Sequence, residues 1–140
     1  MPRFVLLYHD CPPNYVRASH WDFMLEYGDV LRTWALERLP RDWEFAHART
    51  STQYADCPLL AMDNTVAAVQ LTDHRRDYLE LEGALSGDRG AVVRVAAGTY
   101  YSEQESPSNW QVVLQNDDLA GRVWLSRTET EYLQWTLSCS

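Results

Sequence analysis

The alternation of apolar and polar residues with a period of two restricts the fold of this chain more than any other feature of its sequence. The run His20–Tyr27 shows it most clearly, and similar short runs of β-branched and aromatic residues recur, whereas helical periodicity is scarce. Turn signals such as Tyr27-Gly28-Asp29 and Ser106-Pro107-Ser108 separate the runs. Many short strands at this spacing predict a mostly β protein, either an antiparallel barrel or a sandwich.

The pattern places the strands throughout the chain. Residues 50–63 are the least strand-like stretch and predict a helical turn or a loop. No repeat, low-complexity tract or linker interrupts the 140 residues, so we predict a single domain spanning 1–140. The predicted strands are 4–9, 20–27, 30–36, 44–48, 66–72, 78–82, 91–101, 109–115, 120–126 and 132–137.

The charge balance restricts the partners that the chain can have. The net charge is -8, and arginine supplies all 12 basic residues. An acidic balance argues against a protein that coats nucleic acid, because such binding depends on neutralising phosphates. Arginine nevertheless suits bidentate phosphate contacts better than lysine does, so an enzyme acting on strand ends remains compatible with the composition.

Localisation and thiol chemistry follow from simpler features. No apolar run approaches the roughly 20 residues needed to cross a bilayer, and the N-terminus does not read as a signal peptide. We therefore expect a cytoplasmic protein without a membrane partner. Cys11, Cys57 and Cys139 lack CxxC spacing and are expected to be reduced. A nucleophilic thiolate at Cys11, beside His9, is the less favoured alternative to an ordinary loop thiol.

The strand His20–Tyr27 carries the most informative polar residues. Alternation puts His20, Asp22, Met24 and Glu26 on one face of this strand. Neighbours on one face lie roughly 6–7 Å apart, so that the side chains of His20 and Asp22 can both reach one ion. Glu26 is interpreted as a supporting partner and not as a base.

Three of the four histidines have a carboxylate beside them in the sequence. His9 and His74 fall at the ends of other predicted strands and could complete a site with His20 and Asp22. Three nitrogens and one oxygen suit Zn²⁺ or Mn²⁺ better than Ca²⁺ or Mg²⁺. The alternative is that each histidine forms an ordinary solvated pair with its neighbouring carboxylate. For His47 we prefer a structural role to a role as a metal ligand.

Several separated motifs resemble one known family, the 3′-phosphoesterase domain of bacterial DNA ligase D. That family has the pattern HDxxxxxHYDFRLExxGVLxSWA, then DHxxDYxxFEG and a late LxGxWxLxR strand. The matches occur in the same order and cover most of residues 4–127. The matching segments here are His9-Asp10, His20–Glu26, Val30–Ala35, Asp73–Gly83 and Leu119–Arg127.

The resemblance implies a compact antiparallel β-barrel with short helical or loop insertions and a Mn²⁺-dependent site, with Zn²⁺ as the alternative. It implies a hydrolase that removes a 3′ ribonucleoside or a 3′-phosphate in DNA repair by non-homologous end joining. The implied metal ligands are His9, His20, Asp22 and His74, which we expect to meet at the barrel mouth. Tyr78 matches a residue that contacts the scissile phosphate. The implied partners are nucleic-acid 3′ ends or a small phosphoester, together with DNA-repair proteins.

The chain departs from the family pattern at positions where the family has polar or charged side chains. The family has an arginine where Met24 stands, and methionine offers neither positive charge nor a hydrogen-bond donor to a phosphate. A glutamine of the family is replaced by Leu7, and the loop that contains Cys11–Arg17 is longer. Three arginines are candidate phosphate-binding replacements, namely Arg17, Arg75 and Arg76.

Three hypotheses about function follow. The first is a metal-dependent phosphoesterase that acts on nucleic-acid 3′ ends or a smaller phosphoester. The second is a catalytically impaired pseudoenzyme that serves as a metal-binding or repair-scaffold module, which Met24 and Leu7 favour. The third is a barrel without a metal, in which the histidines pair with neighbouring aspartates.

Overall fold

The strands of the chain close into an antiparallel barrel of eight strands with one short helix, as the sequence predicts. The structure is a computed structural model and describes residues 1–116 and 118–140. The elements are β1 (Arg3–Asp10), β2 (His20–Tyr27), β3 (Val30–Leu36), α1 (Glu44–Gln53), β4 (Thr65–Arg75), β5 (Gly83–Ala84), β6 (Ala91–Ser106), β7 (Asn109–Gln115), β8 (Gly121–Arg127) and β9 (Gln134–Cys139).

Pairing between β1 and β6 closes the ring. The strand order is β1-β2-β3-β4-β9-β8-β7-β6, and every neighbouring pair is antiparallel. The two-residue strand β5 lies outside this ring and pairs with the start of β6. A barrel leaves no long open edge for pairing with other chains. Ring closure also fixes the position of β6 beside β1.

The interior of the barrel is filled by aromatic and aliphatic side chains. Every strand of the ring contributes inward residues, which alternate with outward ones along β1 and β2. Trp34 packs edge to face against Trp110 and Trp135, with ring centroids 6.1 Å and 5.5 Å apart. The inward residues of β1 and β2 are Phe4, Leu6, Tyr8, Trp21, Phe23 and Leu25.

A second, smaller apolar cluster lies on the outer face of the same strands. The 3-10 turn Arg76–Leu79 covers this face and packs Tyr78 and Leu79 against it. The residues that the turn and its neighbours cover are Val5, Leu7, Met24, Leu31 and Val92. The segment 76–90, between β4 and β6, therefore forms a lid over the outside of β1 and β2.

Two predicted strands are wrong. Residues 44–48 lie in α1, because the buried positions Trp43, Ala46 and Thr50 repeat at helical spacing. Residues 78–82 do not form a strand, because Tyr78 and Leu79 belong to the 3-10 turn Arg76–Leu79, which packs both side chains against the outer apolar cluster. Within residues 1–116 and 118–140, no helix has the length and apolar character required to span a bilayer.

Candidate metal centre

The register of β1 against β2 brings the predicted donors together. His9 lies directly opposite His20, and Asp22 lies opposite Leu7 on the same pair of strands. The rings of His9 and His20 have centroids 5.2 Å apart, and both side chains are buried. Because the inward face carries the barrel core, these donors face outward under segment 76–90. The expectation that they meet at the barrel mouth is therefore wrong.

A small pocket opens between this outer face and the lid. Its volume is about 70 Å³, and all five residues predicted for the site line it: His9, His20, Asp22, His74 and Tyr78. His74 comes from the end of β4, where it pairs with Leu31 of β3. The other lining residues are Tyr15, Arg17, Leu71, Leu85, Arg89 and Val92.

Each of the three histidines has one ring nitrogen bound to a backbone carbonyl. His9 Nε2 lies 2.6 Å from the carbonyl oxygen of Arg89, and His20 Nδ1 lies 2.8 Å from that of Ala18. His74 Nδ1 lies 2.9 Å from the carbonyl oxygen of Thr72. A carbonyl oxygen only accepts, so these nitrogens carry the proton. In the neutral rings the lone pairs therefore belong to the opposite nitrogens, which is how proteins orient histidine ligands.

The contact between His20 and Asp22 tests whether a metal fits. His20 Nε2 and Asp22 Oδ1 lie 3.0 Å apart, and Asp22 Oδ2 lies 3.9 Å from His9 Nδ1. Besides this contact, neither His20 Nε2 nor Asp22 Oδ1 has a hydrogen-bond partner in the described part of the chain. With a neutral imidazole, two buried acceptors would face one another. A cation beside them, either a proton or a metal ion, removes that cost. The imidazole and carboxylate groups of His9, His20 and Asp22 are donors of the kind that Mn²⁺ or Zn²⁺ binds.

The same contact controls the protonation of His20. Burial by itself lowers the pKa of His20, but the hydrogen bond and negative charge of Asp22, with the Ala18 carbonyl, raise it above its usual value. Asp22 and the Ala18 carbonyl therefore favour the protonated form of His20, and a metal ion that binds there competes with that proton.

Cys11 is a third donor near the two buried histidines. One ligand atom from each of His9, Cys11 and His20 can be chosen so that all lie within 4.8 Å of one another. Cys11 Sγ lies 3.9 Å from His20 Nδ1, the nitrogen already bound to Ala18. Burial, and then the charges of Asp22 and Asp10, raise the pKa of the Cys11 thiol to about 11. These surroundings disfavour the thiolate nucleophile considered from the sequence.

Only one of the three candidate phosphate-binding arginines lines the pocket, and it is Arg17. Arg76 Nη2 lies 2.6 Å from Glu26 Oε2, so its charge is directed to that buried carboxylate. Glu26 also accepts a hydrogen bond from the backbone N–H of Arg3 and does not line the pocket. Arg75 is exposed at the end of β4 and does not line the pocket.

Met24 and Leu7, the departures from the family pattern, are buried beside the pocket. Met24 is 1% exposed and belongs to the small outer cluster with Leu7 and Tyr78. Neither Met24 nor Leu7 lines the pocket. These positions therefore contribute apolar packing where the family pattern has polar side chains.

Sequence reasoning missed two polar residues that line the pocket. Tyr15 lies edge-on to His9, with ring centroids 5.4 Å apart. Arg89 supplies the carbonyl that His9 binds, and its side chain donates to Ser86. Both belong to loops, where no periodicity indicates which side chains face the pocket.

Comparison with known proteins gives distant relatives. No protein-family model matches the chain. The multifunctional non-homologous end joining DNA repair protein LigD of Mycobacterium tuberculosis is 30% identical over an alignment of 123 residues, and the alignment covers 82% of this chain and 14% of LigD. The multifunctional non-homologous end joining protein LigD of Mycobacterium bovis gives the same values. The chain thus spans 14% of the length of these curated relatives and is similar to one segment of them.

Proposed function

We propose that this protein is a metal-dependent phosphoesterase that processes 3′ ends in DNA repair. The observation that carries the proposal is the outward-facing donor set, in which His20 Nε2 and Asp22 Oδ1 are buried 3.0 Å apart without another partner in the described residues. Two further histidines, His9 and His74, have their rings oriented by carbonyls and line the same pocket.

In this proposal His9, His20, Asp22 and His74 hold Mn²⁺ or, as the alternative, Zn²⁺. A bound divalent cation supplies Lewis-acid stabilisation of the charge that develops on a phosphoryl group. The carbonyls that bind one nitrogen of each imidazole leave the opposite ring nitrogen available for an ion. Tyr78, which belongs to the lid, lines the same pocket, with its ring 5.0 Å from that of His74 and edge-on to it.

The biological context comes from the relatives. The names of the LigD proteins describe non-homologous end joining, and the motifs quoted above resemble the 3′-phosphoesterase domain of that family. We therefore propose a 3′-phosphate or a 3′ ribonucleoside on a nucleic-acid end as substrate, and DNA-repair proteins as partners. A small phosphoester is the simpler alternative substrate.

Met24 supports a second candidate function. This residue is buried, uncharged and outside the pocket, at the position where the family pattern has an arginine. A chain that keeps the metal donors but binds phosphate weakly would be a pseudoenzyme that serves as a metal-binding or scaffold module. This candidate predicts stoichiometric metal without turnover.

The proposed function is tested with untagged protein. We expect one Mn²⁺ or Zn²⁺ per chain by elemental analysis, and release of phosphate or nucleoside from a 3′-modified primer-template. Asp22→Ala should lower the metal affinity and the rate by about 100-fold, because the one carboxylate donor of the site is lost. His47→Ala is the matched control, because His47 bonds to the carbonyl of Pro58 and does not line the pocket.

The outcomes separate the hypotheses. Absence of bound metal after loading of the wild-type protein would support a metal-free barrel and contradict the proposal. Metal without turnover on any 3′-modified end would support the pseudoenzyme. An Asp22→Ala variant that keeps both metal and activity would show that the catalytic centre lies elsewhere.

A further inference from the structure

Two arginine side chains line a pocket in a protein whose net charge is -8. Arg17 and Arg89 come from different loops, one between β1 and β2 and the other in the lid. Among the residues that the structure describes, Asp22 is the one carboxylate that lines this pocket. Two guanidinium groups beside a metal donor set favour an anionic ligand, because local charge and not net charge governs binding in a narrow cleft.

Arg17 is the less engaged of these two side chains. Arg89 donates from Nε and Nη2 to Ser86, which occupies much of its guanidinium group. Arg17 is half-buried, and its guanidinium group has neither a hydrogen-bond acceptor nor a salt-bridge partner in the described part of the chain. A half-buried arginine at a pocket wall without a carboxylate partner has all five donors available for a ligand.

The loop that carries Arg17 is tied to the metal donors. Its ends are joined by the hydrogen bond from Cys11 N to Ser19 Oγ at 2.9 Å, and Tyr15 N bonds to the carbonyl of Pro12 at 3.0 Å. The next residue after Arg17 is Ala18, whose carbonyl orients His20. Arg17 is therefore the immediate sequence neighbour of the residue whose carbonyl orients the ring of His20.

The size of the pocket restricts what it can enclose. A volume of about 70 Å³ accommodates roughly five water-sized groups. One ion and one phosphoryl group with its oxygens fill such a space, whereas a nucleoside has several times as many atoms as a phosphoryl group. The phosphate of a diester carries two organic groups, and both would have to extend out through the opening of the pocket. A monoester has only one such group. The dimensions therefore favour a ligand that ends in phosphate.

We propose that the pocket binds the terminal phosphoryl group of a phosphate monoester and that Arg17 is the side chain that binds its oxygens. This inference rests on the proposed function for the metal, and it assigns to the β1–β2 loop the phosphate contact that Met24 does not make. The monoester is the preferred class of substrate over the diester. The organic part of the ligand stays outside the pocket.

The test measures binding with metal-loaded, full-length protein by titration calorimetry, using inorganic phosphate as the probe. Arg17→Gln should weaken phosphate binding by about 10- to 100-fold, because a charge-assisted contact is lost. Arg17→Lys should recover part of this loss, because the charge remains and the bidentate geometry does not. Arg75→Gln is the matched control and should bind phosphate like the wild type. Metal content of every variant should stay stoichiometric.

A second measurement compares a nucleoside 3′-monophosphate with a dinucleoside monophosphate as competing ligands. The monoester should bind at least about 10-fold more tightly, because the diester phosphate is hindered on two sides and carries less charge. Equal affinity for the two ligands would overturn the assignment of the substrate class. Unchanged phosphate binding in Arg17→Gln, or absence of phosphate binding in the wild type, would overturn the role of Arg17.

The binding and turnover results can be told apart. Phosphate binding that depends on Arg17 without any turnover would support this inference and contradict the proposed enzymatic function. Turnover that survives unchanged in Arg17→Gln would leave the enzymatic function in place and contradict the inference.

Discussion

Single residues show how much of the site the sequence could predict. His20 and Asp22 were predictable as a pair, because a two-residue separation on a strand puts both side chains on one face. The side of the sheet on which they lie was not predictable, since both faces of β2 are buried along most of its length. Arg17 was one of three candidates. Only the fold of its loop distinguishes it from Arg75 and Arg76.

Met24 gives a prediction at the residue scale. Met24→Arg, which restores the family residue, should destabilise the protein by at least about 2 kcal/mol, because the side chain is 1% exposed and packed among apolar groups. The conservative Met24→Leu should cost less than about 1.5 kcal/mol. Urea denaturation followed by tryptophan fluorescence measures both differences. A fully stable and more active Met24→Arg would show that this position can reach the pocket.

At the scale of elements, most strands were predictable and the lid was not. The alternating segments β1, β2, β3 and β7 match their predicted ranges within a residue at either end. The lid is short and irregular, with consecutive buried residues at Tyr78 and Leu79, so no period describes it. Its position depends on contacts with β1 that are distant in sequence. At Gly90 the lid packs directly against the backbone of Asp10.

Gly90 gives a prediction about the lid. A Cβ at Gly90 would overlap the carbonyl oxygen of Asp10, and its backbone has φ +89. Gly90→Ala should therefore displace the neighbouring Arg89 carbonyl that orients His9, and should weaken metal binding by about 10-fold or more. Isothermal titration with Mn²⁺ or Zn²⁺ measures the change.

Gly87 supplies the matched control for Gly90. It also has a positive φ, +70, but a Cβ there would meet nothing within 4 Å. Gly87→Ala should cost about 1 kcal/mol of stability through backbone strain and leave metal affinity unchanged. Equal losses of metal affinity in both variants would indicate that strain in the loop, and not the contact with Asp10, controls the site.

At the scale of the whole molecule, the barrel and the site occupy opposite faces of the same strands. The tryptophan-rich core lies inside the ring, and the donors lie outside it under the lid. The barrel class was predictable because alternation, turn spacing and the family motifs agree. The division into an inner core and an outer site was not predictable, since it depends on which face of each strand points into the barrel when the sheet closes.

Metal binding should stabilise the whole fold. A ligand that binds only the folded state at 100 times its Kd adds about 2.7 kcal/mol, which for a chain of this size raises Tm by roughly 5–10 °C. Differential scanning fluorimetry with and without Mn²⁺ or Zn²⁺ measures this shift. His20→Ala should abolish it, whereas His47→Ala should retain it. A shift of equal size in His20→Ala would locate the bound ion elsewhere.

The direct pairing of His9 with His20 has a consequence for how such proteins can diversify. The ten residues between these two positions begin and end at fixed points, so their number and kind can change without shifting either strand. Ligand preference can therefore evolve through changes in the β1–β2 loop alone, while the proposed metal ligands stay in place. Related proteins could therefore acquire different ligands through sequence changes in this loop, while the barrel strands stay the same.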